Sequence, residues 1–145
     1  MKTGVSINTF YEVEKKVLSG IKLVDTINSV KLVAGFDVAY AKNKYLCCVV
    51  VLDFETKEII EKKIVEGDEI MVYSPRWAVF RDGAAIIDAY RSLENKPDIL
   101  IIKGNGALHK RKIGLASYVG VILNKPCIGV AKYLIVGKLD EDRII

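Results

Sequence analysis

The chain is poor in residues that break, cross-link or anchor a polypeptide. Only 3 of its 145 residues are proline, 51% are hydrophobic and 28% charged, which excludes a disordered chain and leaves enough apolar mass for one sizeable core. Cysteine is limited to Cys47, Cys48 and Cys127. An odd count within apolar runs argues against a disulfide framework and fits a reducing cytoplasm. Neighbours in a strand face opposite sides, so Cys47 and Cys48 do not read as a metal pair. All three read instead as small core residues. No apolar run approaches the roughly 20 residues of a membrane span. Lys2 is not followed by an apolar core and small-residue cleavage site, so neither a signal peptide nor a membrane partner is expected. Internal repeats and low-complexity segments are absent, and the length predicts a single domain over 1–145.

What is present is unevenly distributed. The net charge of +4 tolerates an anionic partner without demanding one. Between Pro97 and Lys138, however, the cations Lys103, Lys110, Arg111, Lys112, Lys125, Lys132 and Lys138 face a single acid, Asp98.

The hydrophobic pattern orders the elements. Phe10, Val13, Val17 and Leu18 recur at helical spacing, predicting a docking helix over about 5–20 that covers one sheet edge, capped by Asn8-Thr9 with Glu12 nearby. A core over about 31–139 follows. Strands are predicted at Leu32–Tyr40, Tyr45–Leu52 and Ile59–Val65, an antiparallel meander turned at Asp53–Lys57 and closed by an acidic loop, Glu66–Glu69. Ser74 as N-cap and Pro75 in the first turn open a helix from about Arg76 to Leu93, with Trp77, Phe80, Ala84, Ile87 and Tyr90 or Arg91 as its apolar stripe. Gly83 within it suggests close approach to the sheet. Ile99–Ile102 is the next strand, Ile113–Leu123 a helix, and Cys127–Ala131 a strand after Asn124-Lys125-Pro126. Leu134–Leu139 is a candidate sixth strand. Ile99–Ile102 and Cys127–Ala131 read as buried on both faces, as parallel strands are. A meander feeding βαβ units gives an α/β fold with a mixed sheet and flanking helices, the ribonuclease H-like pattern.

Four features carry candidate chemistry. Asp37 lies in an otherwise apolar strand, where a carboxylate needs a partner or a cation; its role reads equally as structural or functional. Asp82, in the first crossover helix, reads by itself as a solvated carboxylate paired with Arg81 or a nearby lysine. Together with Asp37 it could hold a divalent metal, Mg²⁺ preferring hard oxygen ligands. Gly104-Asn105-Gly106, at the carboxyl end of a strand, offers backbone N–H groups to a ligand or simply turns the chain. His109, the only histidine, is followed by Lys110 and Arg111, which favours phosphate contact.

With these residues in place the chain resembles endonuclease V. The resemblance runs through VAGFDVAY (33–40), VVVLDFETKEIIEKK (49–63), VYSPRWAVFRDGAAIIDAY (72–90) and the whole of 97–138, in the family's order and spacing. It implies a ribonuclease H-like fold and Mg²⁺-dependent (or Mn²⁺-dependent) cleavage of nucleic acid, DNA or RNA, one linkage 3′ of a deaminated base such as inosine. It also implies residue roles. Asp37 matches a metal-binding Asp and Asp82 stands where a Glu ligand is usual. Tyr73 and Pro75 match the wedge that probes the strand beside the lesion, and Gly104 and Gly106 line the base pocket. His109 and Lys132 match residues near the reacting phosphate.

Three departures accompany the resemblance. Lys103 replaces the second catalytic Asp, Tyr118 replaces a common His, and family members continue through further helix and strand beyond the equivalent of Ile145. Two readings follow: an active, divergent nuclease, or a relative that binds nucleic acid or a partner with cleavage impaired, Lys103 pairing with Asp37 or holding phosphate as a point charge. A sheet lacking the family's remaining segments could cover its flank by forming a homo-oligomer.

Overall fold

The structure, a computed structural model, describes residues 6–25, 27–141 and 143–144. Three antiparallel strands open the sheet: β1 (Leu32–Ala41), β2 (Lys44–Asp53) and β3 (Ile59–Asp68). Helix α2 (Ala78–Ser92) leads to β4 (Ile99–Lys103), and α3 (Leu115–Leu123) to β5 (Cys127–Val130), both strands parallel to β1. The spatial order is β3-β2-β1-β4-β5. The predicted α/β mixed sheet is therefore the observed one. Its connections are short because each apolar run ends in a turn with its own hydrogen bonds. At Asp53–Glu58, for example, the Asp53 carboxylate accepts from the N–H groups of Glu55 and Thr56, both at 2.9 Å.

Helices α2 and α3 pack on the same face of the sheet. Ala34, Phe36, Cys47, Val49, Val51, Leu100 and Ile102 point inward against Ala85, Ile86, Ala89, Leu93, Ala116 and Val119, and these form the principal core. The expected stripe on α2 is thus only half of the picture. The sheet-facing line is Ala85, Ile86, Ala89 and Leu93. Phe80, with Trp77 and Val79, belongs to a second cluster with Phe10 and Met71. A helix sandwiched between a sheet and further helices needs two apolar sides. Gly83 belongs to the outer side. A Cβ there would lie 2.5 Å from the ring of Tyr118, so the glycine admits α3 rather than the sheet.

Helix α1 (Ile7–Gly20) forms that outer layer. Phe10 stacks on Trp77 with ring centroids 5.3 Å apart, and the helix touches α3 and no strand among the described elements, so it does not cover a sheet edge. Its cap is Ser6, whose hydroxyl accepts from Asn8 N–H at 3.3 Å, so the cap lies ahead of the expected Asn8-Thr9. At α2 the helix starts at Ala78. Ser74 instead closes a turn, its carbonyl accepting from Trp77 N–H at 3.0 Å, because Trp77 is drawn into the aromatic cluster.

Further expectations change, those for β4, β5 and Cys48 because the other face of the sheet carries no helix. Ile101, Ile128 and Val130 are exposed, so β4 and β5 are not buried on both sides. Cys48 is exposed on that face while Cys47 is buried, so only the latter is a core residue in full. The strand β3 continues through Glu66, Gly67 and Asp68, paired with β2, where an acidic loop was expected. The candidate strand at Leu134–Leu139 is not formed. A separate hairpin of β6 (Leu139–Asp140) and β7 (Arg143–Ile144) takes its place and touches no other described element.

Candidate nucleic-acid and metal site

The parallel register places Gly35 beside Ile101 and Phe36 beside Ile102, which brings Asp37 next to Lys103 at the carboxyl end of adjacent strands. Lys103 Nζ donates to Asp37 Oδ1 at 3.3 Å. Asp82, carried on the first turn and a half of α2, lines the same cavity of about 150 Å³ with Phe36, Val38, Ile86 and Leu115. Sequence order thus scatters these three residues and the topology gathers them.

Their environments differ from the expected ones. The Asp37 and Lys103 side chains are 70% and 83% exposed, so Asp37 is not a buried carboxylate in need of a partner. A pair so exposed is screened by water and contributes at most about 1 kcal/mol. Asp82 is half-buried and is held by neighbours that the sequence reading passed over. Tyr40 donates its hydroxyl to Asp82 Oδ1 at 2.8 Å. Burial, and then the Asp82 carboxylate, push the Tyr40 phenol well above its ordinary range, so it stays a donor. The Arg81 guanidinium lies 3.2 Å from the centroid of the Tyr40 ring and donates from Nε to Glu69 at 2.8 Å, with Asp82 itself 3.8 Å away. The predicted Arg81–Asp82 pairing is present but secondary. The available signal was Glu69 in an acidic cluster close before a helix carrying Arg81.

Mg²⁺ or Mn²⁺ is the ion the resemblance implies. The described residues contain no group of three or more His, Cys, Asp or Glu side chains that could hold a metal. Asp37 and Asp82 supply two carboxylates, one already accepting from Tyr40 and the other from an ammonium. That donor set does not fit a two-ion centre.

The glycine turn is rigid, and two glycines outside the sequence pattern are the most tightly packed against it. A Cβ on Gly114 would stand 2.0 Å from the Asn105 carbonyl oxygen, and one on Gly129 would stand 2.5 Å from that of Gly104. Gly104 N–H donates to Val130 at 2.8 Å, while Gly114 and Ala116 N–H donate to the carbonyls of Gly106 and Asn105 at 2.9 and 3.1 Å. The α3 N-terminus is therefore spent on fixing the turn. Gly106 has only the Ser117 hydroxyl near its Cβ position, at 3.7 Å.

His109 and the cations divide into two groups. His109 is half-buried, and its Nδ1 accepts from Arg111 N–H at 3.3 Å, which leaves Nε2 to carry the proton of the neutral ring. Burial, and then Arg111, hold its pKa below the ordinary histidine value. Arg111 is committed elsewhere. Its guanidinium donates to the buried Glu14 of α1 and to the Arg76 carbonyl. Glu14 falls between Phe10 and Val17 on the apolar stripe of α1, and an acid there was the sign of this contact. Lys110 and Lys132 are exposed, Lys132 lying just beyond β5 with its ammonium 5.2 Å from the Tyr133 ring. Tyr73 is 60% exposed, with the Arg81 guanidinium 5.6 Å from its ring, and Pro75 occupies the turn that follows.

Comparison with known proteins identifies the family and the fold. The sequence profile described as Endonuclease V matches residues 15–144. The endonuclease V of Bacillus thuringiensis subsp. konkukian is 39% identical over 141 residues, covering 92% of this chain and 60% of its own length. The crystal structure of the Bacillus subtilis endonuclease V superposes with a TM-score of 0.82 at 33% identity, covering 94% of this chain and 60% of that one. Ciona intestinalis endonuclease V, in complex with a 24mer DNA containing an inosine followed by a ribo-adenosine, superposes with a TM-score of 0.79 at 28% identity, covering 90% and 59%. The chain spans about three-fifths of the length of the relatives it matches. The fold is ribonuclease H-like, and the match across nearly all of the chain makes this protein a member of the endonuclease V family.

Proposed function

We propose that this chain binds nucleic acid containing a deaminated base, inosine above all, and that cleavage at its site is impaired. The carrying observation is the Lys103 ammonium 3.3 Å from Asp37, in the cavity that Asp82 lines, where a metal-dependent nuclease needs a further acid. Lys103 adds a point charge for a phosphate, and its weak pairing with Asp37 is readily exchanged for one. Lys110 and Lys132 extend the positive surface, and His109 offers Nε2–H as a neutral donor. Tyr73 stands exposed as a wedge against a base, followed by Pro75. The turn Gly104-Asn105-Gly106, directly after Lys103, would receive the base. Arg111 supports the site by fixing the His109 loop to α1. The three free thiols fit action in the cytoplasm.

The exposure of Lys103 favours a second reading, a weakly active nuclease. A side chain 83% exposed can swing off Asp37 and leave both carboxylates to Mg²⁺ or Mn²⁺. One experiment separates the two readings. A fluorescently labelled inosine strand is titrated by anisotropy at several salt concentrations and then incubated with Mn²⁺. Binding that weakens steeply with salt, with no cut in the wild type and a cut in Lys103→Asp, is the expected result. Cleavage by the wild type that is lost in Asp37→Ala establishes the second reading. Salt-insensitive or absent binding overturns both.

A further inference from the structure

Arg76 differs from the two arginines beside it. Arg81 donates to Glu69, and Arg111 donates to Glu14 and to the Arg76 carbonyl, so both guanidiniums are committed to the fold and largely covered. The Arg76 side chain is 45% exposed. Its contact with Glu14 is 3.8 Å long, beyond hydrogen-bond distance, and Arg111 already holds that carboxylate. Among the described residues the Arg76 guanidinium donates no hydrogen bond, so its N–H groups are available to a ligand.

The guanidinium is nevertheless held in place. The rings of Tyr11 and Trp77 meet edge to face, with centroids 5.4 Å apart, and the Arg76 guanidinium carbon lies over both, 5.0 and 4.7 Å from their centroids. Trp77 is buried and fixed in turn by Phe10 and Phe80. A cation seated on two aromatic rings has less freedom to lose on binding, and its planar fork matches a pair of phosphate oxygens. Its position also suits a ligand of the site. Arg76 lies three residues after the exposed Tyr73, and the Arg111 bond to its carbonyl ties it to the loop that carries the exposed Lys110 and Lys112. The acids around it are each paired with a cation: Glu12 with Lys15, Glu14 with Arg111 and Glu69 with Arg81. The charge left unspent there is positive.

We propose that Arg76 is a phosphate-binding residue, its guanidinium seated on Tyr11 and Trp77 to take a backbone phosphate of the nucleic-acid strand beside the nucleotide that Tyr73 meets. The inference rests on the nucleic-acid reading of the site and adds a foothold outside the cavity of Asp37, Asp82 and Lys103. A phosphate contact fixes the position of the strand and carries no information about its bases. Tyr11 is then a positioning residue that acts through Arg76.

The test is fluorescence anisotropy at several salt concentrations, with a labelled single strand containing inosine and the same strand with adenosine in its place. Arg76→Gln is expected to weaken binding of both strands by the same factor, about tenfold. It should also make the fall of log affinity with log salt shallower by about 0.7, as for one phosphate on a single strand. Arg76→Lys should keep the wild-type slope and lose part of the affinity, since an ammonium retains the charge without the fork. Tyr11→Leu should likewise weaken binding at an unchanged slope. Arg111 still holds Glu14 in all three variants, so their urea midpoints should stay close to that of the wild type. An unchanged slope in Arg76→Gln, or a loss confined to the inosine strand, overturns the proposal and leaves the reading of the site standing. Absent or salt-insensitive binding by the wild type overturns both.

Discussion

Ile101 and Ile102 are consecutive, chemically identical and part of the same short strand, yet one is 39% exposed and the other fully buried. The difference lies entirely in what stands above each face. Ile102 meets α2 and α3, behind which α1 adds a further layer, while Ile101 lies on the face opposite those helices. A sheet is defined by its backbone pairing, but its stability comes from whichever face is covered. In this molecule the covered side is three layers deep, while on the other side Ile101, Ile128 and Val130 are exposed and Ile99 is buried.

Substitutions in β4 break the comparison most directly. Ile102→Ala should lower the unfolding free energy by about 4 kcal/mol in urea titration, through lost transfer energy and the cavity left behind. Ile101→Ala should cost less than about 1 kcal/mol by the same measurement.

The outer layer on the covered side gives the next largest effect. Arg111→Met removes the nearer of the two cations on the buried Glu14, leaving only Arg76 at 3.8 Å, and should cost about 3 kcal/mol by the same measurement. Adding Glu14→Gln should recover part of the loss. A cost near zero would mean that α1 is not seated on the helices in solution.

The smallest effect is a pH dependence. The folded-state pKa of His109 is depressed, so between that value and the ordinary histidine value the unfolded chain binds more protons than the folded one. The stability contributed by the neutral ring is complete above the ordinary value and is lost as pH falls through the folded one. Between about pH 7 and pH 5 the wild-type Tm should fall more than that of His109→Gln. Parallel curves would place His109 in water.

The sequence made the element order legible because each strand is a short apolar run bounded by charged or glycine-containing turns. It also placed Asp37, Asp82, Lys103, Gly104 and His109 at strand ends, turns and helix starts that the topology later brings to one end of the sheet. It did not show which face of the sheet is covered. A continuous run such as ILII reads the same whether one or both sides are packed, since periodicity disappears in either case. Hence Asp37 looked buried and proved exposed. Neither could the pattern show Tyr40 on Asp82, or Glu14 on Arg111, because those contacts join residues 42 and 97 positions apart. The rigid glycines were equally hidden: Gly114 and Gly129 matter because backbones converge there, which is a property of the packed turn and not of any local motif.

That turn has a consequence for how the family's chemistry can drift. Its shape is held by backbone contacts of Gly104, Asn105, Gly106, Gly114 and Gly129, whereas the side chain of Lys103, one residue earlier, projects 83% into solvent. Changing the charge at 103 alters almost nothing that folding senses. Selection for a stable protein is therefore blind to the charge at this position, and on the function proposed above a single exchange there would impair cleavage while leaving the architecture unchanged.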